Sequence, residues 1–293
     1  MAYYSGSAND MAEVRAALVA ACVAEGWAWN SSTEMLSKAT VFLRLQVVSG
    51  YLTLLGRTGA AEGDAPGVVR MGTVKTDTPI TYPVTYELFV FEMEVYCVLR
   101  FNVDFYLWCA FGKSSVEGLP GTGTWCGASA MEAPVNGIDI GLNGGSGSAS
   151  SLVGCALFGR TLASNNSTHD YWVHSNLDGG GWLSGASASD TQQGWKPMAP
   201  LMAILPNSWN SESVLLPIRA YKNRRSFKLS LTVDLENARN TRIDNYTPGD
   251  VISIGAERWK IFPWYRKNVV ARNGGVSINH TGTFGWAIRY EGP

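Results

Sequence analysis

The side chains of this 293-residue chain best suited to chemistry are its carboxylates, three histidines and one dense run of cations and aromatics. Glu92, Glu94, Asp104, Asp170 and Asp178 could supply the two carboxyls that glycoside hydrolysis needs, one giving a proton and one acting as base or nucleophile. With 24 acidic residues to draw on, no spacing singles out such a pair. His169 and His174 in THDYWVH are five residues apart, on opposite faces of a strand and about 140° apart on a helix, so they build no two-histidine metal face. His280 falls in an expected turn. No serine sits in a GxSxG elbow, no GxxxxGKS or GxxxxGKT loop occurs, and Gly121-Thr-Gly123-Thr-Trp-Cys126 lacks the last glycine of a dinucleotide fingerprint. These readings predict a protein that is not an enzyme, with no catalytic residue, no cofactor and no metal site.

The run RWKIFPWYRKN at 258–268 holds Arg258, Lys260, Arg266 and Lys267 among Trp259, Phe262, Trp264 and Tyr265. Such a mixture can stack bases and neutralise phosphates, but strand periodicity accounts for it too. Trp259 and Ile261 share one face, Arg258 and Lys260 the other, wet one, and Pro263 suits a strand end. The total charge of −1 argues against nucleic acid as a partner. It conceals an asymmetry: residues 1–195 carry 9 basic and 17 acidic side chains, a net of −8, while residues 196–293 carry 14 and 7, a net of +7. Oppositely charged ends orient copies of a subunit on encounter. Trp125, Trp172, Trp182 and Trp195 lie in or beside Gly/Ser/Asn-rich loops, where an indole stacks a sugar, anchors an interface or fills a core.

The elements that would position these residues are mostly strands. Thirty-two glycines, abundant aromatics and a charged fraction of 16%, against a usual quarter, favour sheets and tight turns with an uncharged surface. One segment, NDMAEVRAALVAACVAEGW, reads as a helix, with Asp10 and Glu13 as a capping box, Met11, Val14, Leu18 and Cys22 on one face and Gly26 as the stop. ATVFLRLQV and YLTLLGR then form a hairpin around Val48-Ser49-Gly50, completing a helix-hairpin module over 1–60. Residues 60–81 read as a connector. PVTYELFVF pairs across Glu92-Met93-Glu94 with a long strand from Val95 to Leu107, odd positions buried and even ones wet. A β domain with long Gly/Ser loops covers 61–195, and a C-terminal β region sharing its core covers 196–293. In the closing strand Phe284, Trp286, Ile288 and Tyr290 fall on one face. The expected fold is mainly β: antiparallel, sandwich-like sheets with one N-terminal helix on a hairpin. Five cysteines without CxxC spacing point to reduced, buried thiols. No apolar run reaches the length of a membrane span, and the N-terminus lacks a signal-peptide pattern.

Taken together, AYYSGSA, GYLTLLGRTG, ITYPVTYELFVF, AFGKSSVEGLPGTGTWCGAS, RIDNYTPGDVISIGAERWKIFPWYRKN and HTGTFGWAIRYEGP resemble a family of proteins of about this length encoded among the virion genes of tailed bacteriophages and prophages. The likeness runs from end to end and is weakest in the central Gly/Ser loops. It implies a virion structural protein of the tail, tail tip or baseplate, assembled in the host bacterial cytoplasm, whose partners are copies of itself and other tail proteins. It carries over no catalytic residues. The expected contact residues are Trp259, Phe262, Trp264, Tyr265, Arg266 and Lys267, with Trp125 and Trp182 on loops as secondary candidates. Two alternatives stand beside it: a host-receptor or glycan-binding module at the tail tip, using the loops around Trp172 and Trp182, and a head-tail joining or capsid accessory protein touching DNA through the C-terminal bases.

Overall fold

The computed structural model describes residues 1–60, 63–73, 79–131, 156–158, 173–179, 181–184, 207–224, 226, 228–267 and 284–293. In chain order its elements are β1 (Ala2–Ala8), α1 (Met11–Ala24), β2 (Ala28–Asn30), β3 (Met35–Lys38), β4 (Val41–Val48), β5 (Tyr51–Arg57), β6 (Val69–Thr73), β7 (Val84–Val90), β8 (Glu94–Phe101) and β9 (Phe105–Lys113). They continue with β10 (Thr124–Ala128), β11 (Ala130–Met131), β12 (Val173–Asn176), β13 (Leu183–Ser184), β14 (Leu216–Arg224), β15 (Lys228–Arg242), β16 (Val251–Ile254), β17 (Glu257–Pro263) and β18 (Phe284–Arg289). Three sheets result, ordered β1-β7-β8-β9-β10-β12-β13, β11-β6-β5-β4-β3-β2 and β14-β15-β18-β17-β16. Pairing is antiparallel throughout except for the short β6–β11 contact. The fold is mainly β with one N-terminal helix, as the composition predicts.

Local chemistry sets the helix ends. Asp10 caps α1 by accepting the Glu13 N–H at 2.7 Å, and the Glu13 carboxylate reaches back to the Asn9 N–H at 2.7 Å, one residue before the position a capping box uses. At the far end Gly26 takes φ +81, while the N–H groups of Gly26 and Trp27 donate to the carbonyls of Val23 and Cys22, a Schellman closure. The buried face is Met11, Val14, Leu18, Ala21 and Cys22. Ser49 and Gly50, both at positive φ, form the two-residue turn of the β4–β5 hairpin, whose twist matches that of paired strands.

The seven-stranded sheet lies at the centre because both its faces are apolar. Val95, Cys97, Leu99, Leu107, Cys109 and Phe111 join a core with α1 and the six-stranded sheet. Their neighbours Tyr96, Val98, Tyr106, Trp108 and Ala110 join a second core with the five-stranded sheet. This corrects the expectation of one long strand with a wet face. Asn102 and Val103, at φ 45 and 68, turn the chain, so that 95–107 spans parts of two paired strands. Arg100 and Asp104 are exposed as expected, but the even positions Tyr96, Val98 and Tyr106 are aromatic or aliphatic and buried, and a strand covered on both faces reads as nearly continuous apolar sequence. The segment read as a connector also supplies a strand, β6, which pairs with β5. The first module shares its strands with the next: β1 pairs along its whole length with β7, in register from Ala2↔Val90 to Ala8↔Val84. Among the described residues no helix is long and apolar enough to cross a membrane.

Candidate functional site

Seven of the eight residues expected at an interface lie in the interior. Trp264 and Trp286 stack with ring centroids 4.5 Å apart, and Trp108 meets Trp264 edge-on at 5.6 Å. Phe262 packs edge-on to Phe89, bridging the five-stranded sheet to the central one. Trp125 is buried against Tyr96 and Phe158, while Trp259 fills a small core on the outer face of the five-stranded sheet with Ile243 and Ile261. Tyr265 packs on Phe105. Trp182 is buried over Gly56, where any Cβ would come within 2.3 Å of the ring. Lys267 is buried, its ammonium donating to the carbonyls of Ile243 and Asp244. Of the set only Arg266 is exposed, its guanidinium 4.8 Å from the Phe105 ring centroid. The reason is periodicity: from Trp259 onward both faces of β17 are covered, and Trp259 points to the outer cluster while Phe262 points to the central sheet.

Of the two charges expected on a wet face of β17, Arg258 is exposed and Lys260 is drawn in between the sheets. Lys260 pairs with Glu87 of β7 and sits among rings, 5.0 Å from the Tyr3 centroid and 5.2 Å from that of Tyr290. Burial pulls the Lys260 pKa down, but Glu87 and Tyr3 outweigh it and the net shift is upward. Arg258 lies 5.2 Å from the Tyr290 centroid and donates to the Gly292 carbonyl.

Among the candidate acids, Glu94 is the buried one. β15 loses register with β14 between Asp234 and Arg239, which leaves the Glu236 and Asn237 N–H groups without a β14 partner. Both donate instead to the Glu94 carboxylate, at 3.0 and 3.1 Å, joined by Asn237 Nδ2 and Tyr96 Oη at 2.8 Å each. Burial raises the Glu94 pKa, and the four donors hold that rise back. The same burial, with Glu94 as neighbour, lifts the Tyr96 hydroxyl well above its usual range. Both Glu94 oxygens are taken, so this carboxylate serves as a clamp between the central and five-stranded sheets. Asp178 pairs with Lys222, and Asp104 lies exposed in the β8–β9 turn. Four cysteines are free and buried; burial pushes the Cys126 thiol up to about 12. His174 is buried on β12, and no His/Cys/Asp/Glu group among the described residues is arranged to hold a metal ion. Asp170, His169, His280, Cys155, Trp172 and Trp195 lie outside the described residues.

Two clefts flank the Glu94 clamp. One, of about 190 Å³, has walls from Phe91 and Met93 and polar groups from Glu92, Ser114, Glu236 and Asn237. The other, of about 400 Å³, runs along 113–123 and shares Lys113, Ser114 and Ser115 with the first. Ser114 and Ser115 fix that loop by donating to the Thr232 and Asp234 carbonyls of β15.

The exposed aromatic among the described residues is one that strand reasoning passes over. Trp209, in NSWNSES, is 95% exposed. Its backbone is nonetheless well held. The Asn207 side chain accepts the Trp209 N–H at 2.8 Å, the Asn207 carbonyl accepts the Ser211 N–H at 2.7 Å, and the Asn207 N–H donates to the Glu212 carbonyl at 2.8 Å. Asn245 ties the turn down through the Ser211 carbonyl, and Tyr246 through the Ser213 N–H. Ser211 sits in the left-handed region at φ 61, a conformation that the surrounding bonds maintain. Burying an indole side chain of about 150–250 Å² is worth about 4–6 kcal/mol by transfer, which this turn withholds from the isolated chain. The available sequence signal is the Asn-Ser-Trp-Asn grouping, an Asx turn with an aromatic at its tip.

No family model and no curated protein matches the chain.

Proposed function

We propose that this chain is a structural subunit of a tailed-bacteriophage virion, in the tail, tail tip or baseplate, working through contacts with protein neighbours. The observation that carries the reading is Trp209, an indole held out in water by a turn that spends several hydrogen bonds on its shape. A residue presented in that way is the kind of anchor around which protein interfaces are built. The six segments that resemble virion proteins supply the setting. The surface for contact accordingly shifts from the β17 aromatics, which support the core, to the turn at 207–213. Mass spectrometry of purified particles should find the chain in several copies per virion. Its presence in infected-cell lysate together with its absence from particles would end the proposal.

A further inference from the structure

Resting on that assembly reading, we propose that Trp209 of one copy of this chain inserts into the cleft beside Glu94 of the next, making a head-to-tail contact between identical subunits. Knob and hole are of similar size, and the hole offers two apolar walls with polar groups around them. The cleft measures about 190 Å³, with Phe91 and Met93 as apolar walls in an otherwise polar lining, which is on the scale of the cavity of about 150 Å³ that accommodates a benzene ring. An inserted indole needs an acceptor for its N–H, and the exposed carboxylates of Glu92 and Glu236 line the opening. Lys113, on the same cleft, supplies a cation that an aromatic face attracts.

The two features sit apart on one molecule. The cleft adjoins the β15 bulge at Glu236 and Asn237, whereas the Trp209 turn is tied to Asn245 and Tyr246, beyond the β15 end at Arg242. From 236 to 242 the extended chain alone covers about 20 Å. A protruding apolar residue that fits a pocket elsewhere on the same surface gives a heterologous contact, which closes into a ring or continues as a filament.

The test is sedimentation velocity of the purified full chain over a range of concentrations. The wild type is expected to self-associate. Trp209→Ala, whose site is exposed and whose melting temperature should not move, is expected to raise the dissociation constant at least about thirty-fold. Glu236→Trp, which fills the cleft, and Glu92→Arg, which reverses charge at its rim, are expected to do the same. Neither a knobless nor a cleft-blocked chain should assemble alone, yet Trp209→Ala mixed with Glu236→Trp should stop at a dimer of one copy each. A wild type that stays monomeric at every concentration, a Trp209→Ala variant that associates normally, or cleft variants that assemble as the wild type does would each overturn the contact. The particle measurement is separate: a chain found in virions but monomeric in solution keeps the assembly reading and loses this one.

Discussion

The aromatic seam between the central and five-stranded sheets and the turn at 207–213 use the same residue for opposite ends. In the seam Trp108, Trp264 and Trp286 lie fully buried within 6 Å of one another, and none of their indole N–H groups has a hydrogen-bond partner among the described residues. They act there as bulk, placed by the two-residue period of strands. Trp209 is placed by backbone hydrogen bonds within a turn, and its side chain touches little of its own chain. An indole fixed by periodicity supports the fold, and one fixed by a turn is available to something else.

The comparison can be broken most directly in the seam. Trp286→Ala leaves a large void beside Trp264 and should cost about 3–5 kcal/mol in chemical denaturation. Trp286→Phe should recover most of that, because no hydrogen bond is lost; equal losses for the two variants would contradict the reading of these rings as bulk. Next in size is Glu94→Gln, which turns an acceptor of four bonds into a group that must also donate, and about 2 kcal/mol is expected. Because the folded-state pKa of Glu94 is raised, the native chain takes up this proton before the unfolded one as pH falls from neutral. Stability from this group therefore grows as pH falls and is lost as pH rises through the folded-state pKa, so the wild-type advantage over the Gln variant should widen as pH falls from neutral toward the ordinary carboxylate range in paired urea titrations. Gly56→Ala places a methyl against the Trp182 ring and should cost about 1–3 kcal/mol, read as a lowered melting temperature. Smallest is Trp209→Ala, expected to fall within about 0.5 kcal/mol of the wild type. Its effect belongs in solution contacts, and a large loss of stability would place Trp209 in a core after all.

How far these roles are legible in the sequence depends on the period of the pattern. The helix face, its caps, the turn at Ser49-Gly50 and the apolar face of β18 follow from local rules and are found where those rules put them. The partner layer cannot be read in that way. Lys260 looks like surface charge until Glu87, 173 positions earlier, is brought beneath it. Tyr96, Val98 and Tyr106 fall on a face that looks wet until the five-stranded sheet covers it. The same limit hides the site: the Glu94 clamp joins residues 143 positions apart, and nothing near Glu94 announces its acceptance of N–H groups from β15. Trp209 lies within a short local motif and could be found by asking which aromatics sit in Asx turns instead of strands.

The central sheet has a consequence for biosynthesis. One of its faces, carrying Phe89, Tyr96 and Trp108, is covered by strands drawn from 216–289, so most of the chain must leave the ribosome before that face has a lid. Contacts this distant in sequence form slowly. Until they form, the nascent chain displays an aromatic surface ready to stick to its siblings, and the yield of folded protein is set by how quickly the last strands arrive.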